Sequence, residues 1–181
     1  MNQTAATDLE KANPRIKRIP DPYGGADVIV VPALNPDLAI VHVQRADVNG
    51  NAHLWGIIGE QKEAAFAAKK VILTAEEIVD QSVIRSDPNR TMIPANIVSA
   101  VCHVPYACHP SYAQGYYDRD NEFYLAWDKV SSSKENVQAW LDEWVYSVQD
   151  HSEYWQKLGS KKHKQLTVKP RMSQAINYGE Y

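Results

Sequence analysis

The side chains best equipped for chemistry cluster where a short apolar run, Leu38 to Val43, gives way to a Gly- and Asn-rich turn. His42, Gln44, Arg45, Asp47 and Asn51 fall within ten residues of one another. An apolar strand that ends in a dense polar group is how an α/β protein delivers functional side chains to the carboxyl edge of its sheet. The arginine fork can hold a carboxylate or a phosphate, and Asn51 can bind a carbonyl or lock the turn. The same residue types suit an internal network that stiffens the loop, with Arg45 paired to Asp47, and residue type alone leaves the two readings level. Along a strand, His42 and Gln44 share a face while Arg45 and Asp47 emerge into the loop.

Two further groups bear on chemistry. Glu76 and Glu77 follow the apolar run Val71 to Thr74, where a carboxylate can serve as nucleophile or base if its surroundings tune it. Adjacent acids in such a place fit helix-start charges better. Cys102-His103 and Cys108-His109 are all capable zinc ligands, but the spacing is not that of close-paired zinc sites, and consecutive strand residues face opposite ways. No metal site is expected, and Cys102 reads as a small buried hydrophobe. His109 lies in a loop with Tyr106, Ser111 and Tyr112, where it can line a cleft or brace the loop by a hydrogen bond. There is no GxGxxG, phosphate-loop lysine motif, GxSxG elbow or HExxH.

The elements that would position these groups alternate. Residues 1–20 form a leader without a settled period, and Asp21-Pro22-Tyr23-Gly24-Gly25 is a turn, so ordered structure is expected from Asp27. Val28–Val31 and Leu38–Val43 are predicted strands, the second with both faces covered and therefore central. Glu60–Lys70, EQKEAAFAAKK, is a predicted helix with acids early and lysines late. Val71–Thr74 is the next strand, and strand, helix, strand implies parallel pairing through a right-handed crossover. Ile97–Val104 supplies another strand, and residues 105–115 a loop packed by its own side chains. Asp120–Trp127 and Glu135–Leu158 are predicted helices, and the stripe Val137, Trp140, Leu141, Trp144, Val145, Val148 reads as core packing. The resulting domain spans 21–160, and 161–181 is a tail able to lie across a partner.

Composition bounds the function. A chain of 181 residues with 44% hydrophobic residues and a formal charge of −3 is one domain with a core and no overall pull toward nucleic acid or anionic lipid. Two cysteines suggest no disulfide framework and fit a reducing cytoplasm. No window suits a signal peptide or a membrane span.

Four segments together, VVPALNPDLAIVHVQRADVNGNAHLWG, EAAFAAKKVILTAEEIV, IPANIVSAVCHVPYACHPS and YYDRDNEFYLAWD, cover about Pro22 to Trp127. They resemble the alpha subunit of family I CoA-transferases, of the glutaconate CoA-transferase type, and the related CoA-ester hydrolases of steroid-ring breakdown. The resemblance implies an open α/β sheet in each of two related subunits that share an interfacial active site, so the fold class expected here is α/β, an open, mostly parallel sheet with flanking helices, as a partial subunit of that kind with the helical carboxyl-terminal region read above. It implies ping-pong transfer of CoA from an acyl-CoA to a free carboxylic acid through a glutamyl thioester, with no resident cofactor and with coenzyme A or acyl-CoA as substrate. The family nucleophile belongs to a beta-subunit Ser-Glu-Asn-Gly element that this chain lacks, so neither Glu76 nor Glu77 inherits that role. His42, Gln44, Arg45, Ala46 and Asp47 occupy the alpha-subunit signature, Gly50 and Asn51 its turn, and Glu76 and Glu77 its acidic pair. His42, Gln44, Arg45, Asp47, Asn51, Glu76 and His109 are the candidates for the site wall.

The chain also resembles only the carboxyl-terminal portion of a longer alpha chain. The expected partner is a beta-type subunit, and the short length has two readings: another chain supplies the missing amino-terminal half, or this is a processed or truncated piece. Without that half a sheet edge and an apolar face stand open. The alternative functions are those of a CoA-ester or ring-opening hydrolase component and of a non-catalytic structural subunit.

Overall fold

The computed structural model describes residues 7–168. The expectations for the start of the leader and for the tail beyond Val168 lie outside the described residues. Two compact units divide at Asn35. The first carries a short helix α1 (Leu9–Ala12) and strands β1 (Lys17–Ile19) and β2 (Val28–Val30), paired antiparallel with Lys17 opposite Val30. Regular structure thus begins well before Asp27, and β2 pairs with the leader instead of joining the main sheet. The alternation in Lys17-Arg18-Ile19 is too short to register as a strand until a partner supplies the ladder.

The second unit is built on a five-stranded sheet. Its strands are β3 (Ala39–Ala46), β4 (Ala52–His53), β5 (Val71–Ile78), β6 (Thr91–Ile93) and β7 (Ala100–His103), in the spatial order β6-β4-β3-β5-β7. β3 is central, as its apolar run predicts, but only one of its faces is fully covered among the described residues: Ile40, on the other, is 66% exposed. β3 pairs parallel with β5, Ala39 opposite Val71 and Arg45 opposite Glu77, and β5 pairs parallel with β7. β4 is antiparallel to both of its neighbours. Val41, Val43, Val71, Leu73 and Ala75 are buried on one face with Ala65 of helix α2 (Gln61–Ala67), which forms the core.

Three boundaries differ from expectation for identifiable reasons. α2 stops at Ala67 because Lys69 donates its N–H to Pro36 and Lys70 accepts from Ala39, so the lysines form the entry to the sheet and not the last helical turn. β5 runs four residues past Thr74 because β3 continues to pair with it as far as Ile78. Glu76 and Glu77 therefore sit within a strand and project to opposite faces. β7 begins only at Ala100: Ala95 first donates to Asn51 Oδ1, and Ser99 reaches Val71. Cys102 is exposed and not buried, as is Ala100, because their face of the sheet, which also carries exposed Ile40, is uncovered among the described residues.

After helix α3 (Gln81–Ser86), the helical region comprises α4 (Asn121–Val130), α5 (Lys134–Leu141), a π-helical turn at Asp142–Tyr146, and α6 (His151–Leu166), which breaks at Gly159 (φ 84°). Asp120, Ser133 and Asp150 cap the three helices by accepting from backbone N–H groups. The aromatic stripe does not form a core. No residue of α4, α5 or the π turn is buried, and Trp140, Trp144, Val145 and Val148 instead wall an apolar cavity of about 540 Å³ with Phe123 and Trp127. Amphipathic periodicity reports an apolar face but not what covers it. Residues 161–166, expected in the tail, complete α6, and Leu166 is buried against Tyr117 and Ala113.

Candidate functional site

The parallel pairing of β3 and β5 places the candidate residues at their carboxyl ends. On one face lie His42, Gln44, Thr74 and Glu76. The His42 ring contacts Thr74 Oγ1 through Nδ1 at 2.9 Å and Glu76 Oε1 through Nε2 at 2.6 Å. The Glu76 side chain is 2% exposed. Its Oε1 also accepts from the Tyr117 hydroxyl at 2.9 Å, and its Oε2 accepts from the Tyr106 N–H at 2.8 Å. Tyr106 holds a left-handed backbone (φ 62°), unusual for a bulky residue, and that turn aims its N–H at the carboxylate. Gln44 is tied to the Trp55 backbone, donating to its carbonyl at 2.9 Å.

Burial opposes the charge on His42, but hydrogen bonds to Cys108 and Glu76 outweigh it and raise its pKa from 6.5 to about 9. At neutral pH the ring is an imidazolium that donates from both nitrogens. A folded pKa above the unfolded one contributes stability that is complete below pH 6.5 and lost as the pH rises through 9. The expected loss is at most about 3 kcal/mol. Urea titrations from pH 6 to 10 should show it for the parent chain and not for His42→Gln.

Arg45 and Glu77 occupy the other face. Arg45 Nε donates to Glu77 Oε2 at 2.8 Å and to the Tyr116 hydroxyl at 3.2 Å, and Tyr116 donates to the same carboxylate oxygen at 2.7 Å. The guanidinium also lies 5.7 Å from the centroid of the Trp55 ring. Burial and the Glu77 carboxylate push the Tyr116 hydroxyl pKa well above its usual value, so it remains a donor. Arg45 does not pair with Asp47. Arg45→Ala is expected to cost about 1–2 kcal/mol in melting experiments, because the pair is only part-buried. Turnover per folded complex should stay within about threefold of the parent.

Asp47 and Asn51 make the turn itself. Asp47 is fully buried. Its Oδ1 accepts from the backbone N–H groups of Asn49 and Asn51, and its Oδ2 accepts from the Asn51 amide at 2.8 Å. Asn51 Oδ1 then accepts from Ala95. Gly50 (φ 100°) is needed here, since a Cβ would meet Val98 at 2.8 Å. These two candidates brace the loop.

His109 belongs to neither group. Its side chain is fully buried, Nε2 contacts Asp120 Oδ2 at 3.0 Å, and Nδ1 contacts the Tyr154 hydroxyl at 2.6 Å. Burial raises the Asp120 pKa, but His109 and Lys162 outweigh it and bring the carboxyl down to about 2. His109 both braces the loop and walls the aromatic cavity, joining the loop to α4 and α6.

Sequence reasoning missed Tyr106, Tyr116, Tyr117 and Trp55. The one signal was a tyrosine-rich loop, and only the fold shows adjacent Tyr116 and Tyr117 reaching adjacent Glu77 and Glu76. A cavity of about 60 Å³ opens beside His42 and Gln44, walled also by Trp55, Gln61, Cys108 and Gln114.

Comparison with known proteins agrees with this architecture. The family described as Coenzyme A transferase matches residues 3–103. The alpha-type subunit of 3-oxoadipate CoA-transferase from Pseudomonas knackmussii is 48% identical over 87% of this chain and 55% of its own length. The corresponding subunit of glutaconate CoA-transferase from Acidaminococcus fermentans is 40% identical over 90% of this chain and 51% of its own. The crystal structure of glutaconate CoA-transferase from that organism superposes with a TM-score of 0.81, covering 90% of this chain and 52% of that one. A more distant relative, the cholesterol ring-cleaving hydrolase IpdA subunit of Rhodococcus jostii, is 29% identical over 67% of this chain and 41% of its own. The chain spans about half the length of the curated relatives it matches. By the family match, the shared fold and this identity, the chain belongs to the coenzyme A transferase family and is of the glutaconate/3-oxoadipate alpha-subunit type.

Proposed function

We propose that this chain is part of a heteromeric CoA-transferase that moves CoA between an acyl-CoA and a free carboxylic acid, with the attacking glutamate on a beta-type partner. The observation that carries the division of labour is the state of the two glutamates at the strand ends. A nucleophilic carboxylate needs a free oxygen and room to reach the thioester carbon. Both oxygens of buried Glu76 are taken by His42, Tyr117 and Tyr106, which leaves that carboxylate neither, while Glu77, 43% exposed, accepts from Arg45 and Tyr116 at Oε2 alone and is held to the opposite face of the strand. Groups held this firmly suit a rigid wall against which a partner's nucleophile works.

A second partner is supported by the sheet. Ile40 is 66% exposed, and Ala100 and Cys102 on the same face are exposed as well. Apolar sheet surface of this kind is normally covered, and a chain equivalent to the remaining length of the relatives is the proposed cover. The two free cysteines suit a cytoplasmic setting. Among the described residues no helix is long and apolar enough to cross a membrane.

Co-expression with the missing half and a beta-type subunit, native mass spectrometry, and an acyl-CoA assay with and without acetate test the reading together. The expected result is a heteromer whose turnover needs the acid. Loss of acyl-CoA to water without an acceptor would favour the hydrolase reading that the ring-cleaving relative supports, and a complex without turnover would favour a structural role.

A further inference from the structure

The aromatic cavity of about 540 Å³ in the helical region has no task in the transferase reading. Phe123, Tyr124, Trp127, Trp140, Trp144 and Tyr154 wall it. Trp127 and Trp140 cross at 90° with centroids 5.2 Å apart, Phe123 and Trp140 at 77° and 6.0 Å, and Trp144 and Tyr154 at 73° and 6.1 Å. Rings that meet edge to face turn π faces as well as edges toward the space between them, and those faces carry the negative end of the ring quadrupole. Trp144 sits on the π-helical turn Asp142–Tyr146, a distortion that recurs at functional sites.

Charge complements the rings. Among the described residues that wall the cavity there is no lysine or arginine, and Asp150 is the one carboxylate. Asp150 Oδ1 caps α6 by accepting from the Glu153 N–H at 2.9 Å, and Oδ2 makes no hydrogen bond among the described residues. The helix end carries about half a positive unit charge, which a full carboxylate outweighs. His109 and His151, also in the wall, spend ring nitrogens on Asp120, the Tyr154 hydroxyl and the Pro105 carbonyl. Two wall rings already draw cations that do not themselves wall the cavity. Lys157 Nζ lies 5.0 Å from the Trp144 centroid, and Arg119 Cζ lies 5.1 Å from that of Tyr124. Lys162 is matched by Asp120 and Glu122 at 3.0 and 2.8 Å. An anion would meet the Asp150 carboxylate head-on, and a neutral apolar molecule would leave it unused. A cation whose charge is spread over alkyl groups suits both the ring faces and the acid.

We propose that this cavity binds a small organic cation bearing a trialkylammonium head, held against Trp127, Trp140 and Trp144 with its charge balanced by Asp150. The occupant is a free small molecule, since the volume falls within the range of about 300–1,000 Å³ usual for small-ligand sites. Binding here is non-covalent and stands apart from CoA transfer, so it does not rest on the transferase reading.

Choline titrated into the full chain, followed by tryptophan fluorescence and isothermal calorimetry, tests this against dimethylbutanol, its neutral carbon isostere. Choline is expected to bind about tenfold more tightly than the isostere, because the two differ only in the charge that the ring faces and the acid read. Trp140→Leu should weaken choline by about tenfold, and Asp150→Asn, which keeps a capping oxygen, by about threefold or more. Circular dichroism checks that both variants keep their helices, and Asp150→Asn carries the test where Trp140→Leu does not fold. Equal affinity for choline and the isostere overturns the proposal, since the cavity then reads area and not charge. Absence of binding overturns it, as does choline affinity unchanged in Asp150→Asn. Dimers in sedimentation that choline does not disperse would make the cavity an interface between copies, and binding to phosphatidylcholine vesicles without binding to free choline would make it a lipid site; either result also overturns the free-ligand reading.

Discussion

Glu76→Ala should lower the unfolding free energy of the chain by about 3–5 kcal/mol, the range for breaking a buried ion pair by removing one partner. The substitution strands an imidazolium, the Tyr117 hydroxyl and the Tyr106 N–H, all of which now converge on one carboxylate. The cost is dominated by the His42 charge, which burial opposes and Glu76 supports. Urea denaturation at pH 7 measures it. Glu76→Gln keeps the volume and removes the charge, so it should fall between the parent and Glu76→Ala and should flatten the loss of stability above pH 7. A double-mutant cycle with His42→Gln isolates the pair, and a coupling below about 0.5 kcal/mol would show that the two residues act independently. Where Glu76→Ala does not fold, Glu76→Gln and the cycle still carry the measurement.

Asp47→Ala is expected to cost about 2–3 kcal/mol without a specific effect on ligand binding. Its carboxylate accepts from three donors, two of them backbone N–H groups in a turn whose glycine has no room for a side chain. Hydrogen bonds to a charged acceptor are worth about 1.5–3 kcal/mol each in isolation, but three within one turn are not additive and water reaches part of it. Asp47→Asn retains one acceptor oxygen and should recover about half of the loss. Thermal unfolding checks the stability, and CoA exchange per folded heteromer checks the function. A fall of more than tenfold in exchange with unchanged stability would place Asp47 against substrate and overturn its role as a brace.

Composition and periodicity were enough to read the α/β class, the central place of β3 and the parallel β3-β5 pair, and the resemblance of four segments to known CoA-transferase chains was enough to read the family. The first three are properties of local pattern: a strand at the centre of a sheet is apolar over most of its length, and a polar cluster that follows one marks its carboxyl end. His42 and Gln44 fell on one face as period two requires. Tertiary structure alone decided the partners. Arg45 chose Glu77 over the nearer Asp47 because parallel register sets them opposite each other. Adjacent Glu76 and Glu77 parted to two faces because β5 keeps pairing beyond Thr74, an extension that strand propensity in the acidic run Ala75-Glu76-Glu77 does not reveal. Cys102 was exposed because nothing among the described residues covers its part of the sheet face, where central Ile40 is exposed as well, and the tryptophan stripe lined a cavity because nothing among them covers it either. Sequence records which side chains are apolar or ionisable and how often they recur. Which of them meet depends on chain closure over tens of residues, as when Tyr116 and Tyr117 arrive beside glutamates about forty positions earlier.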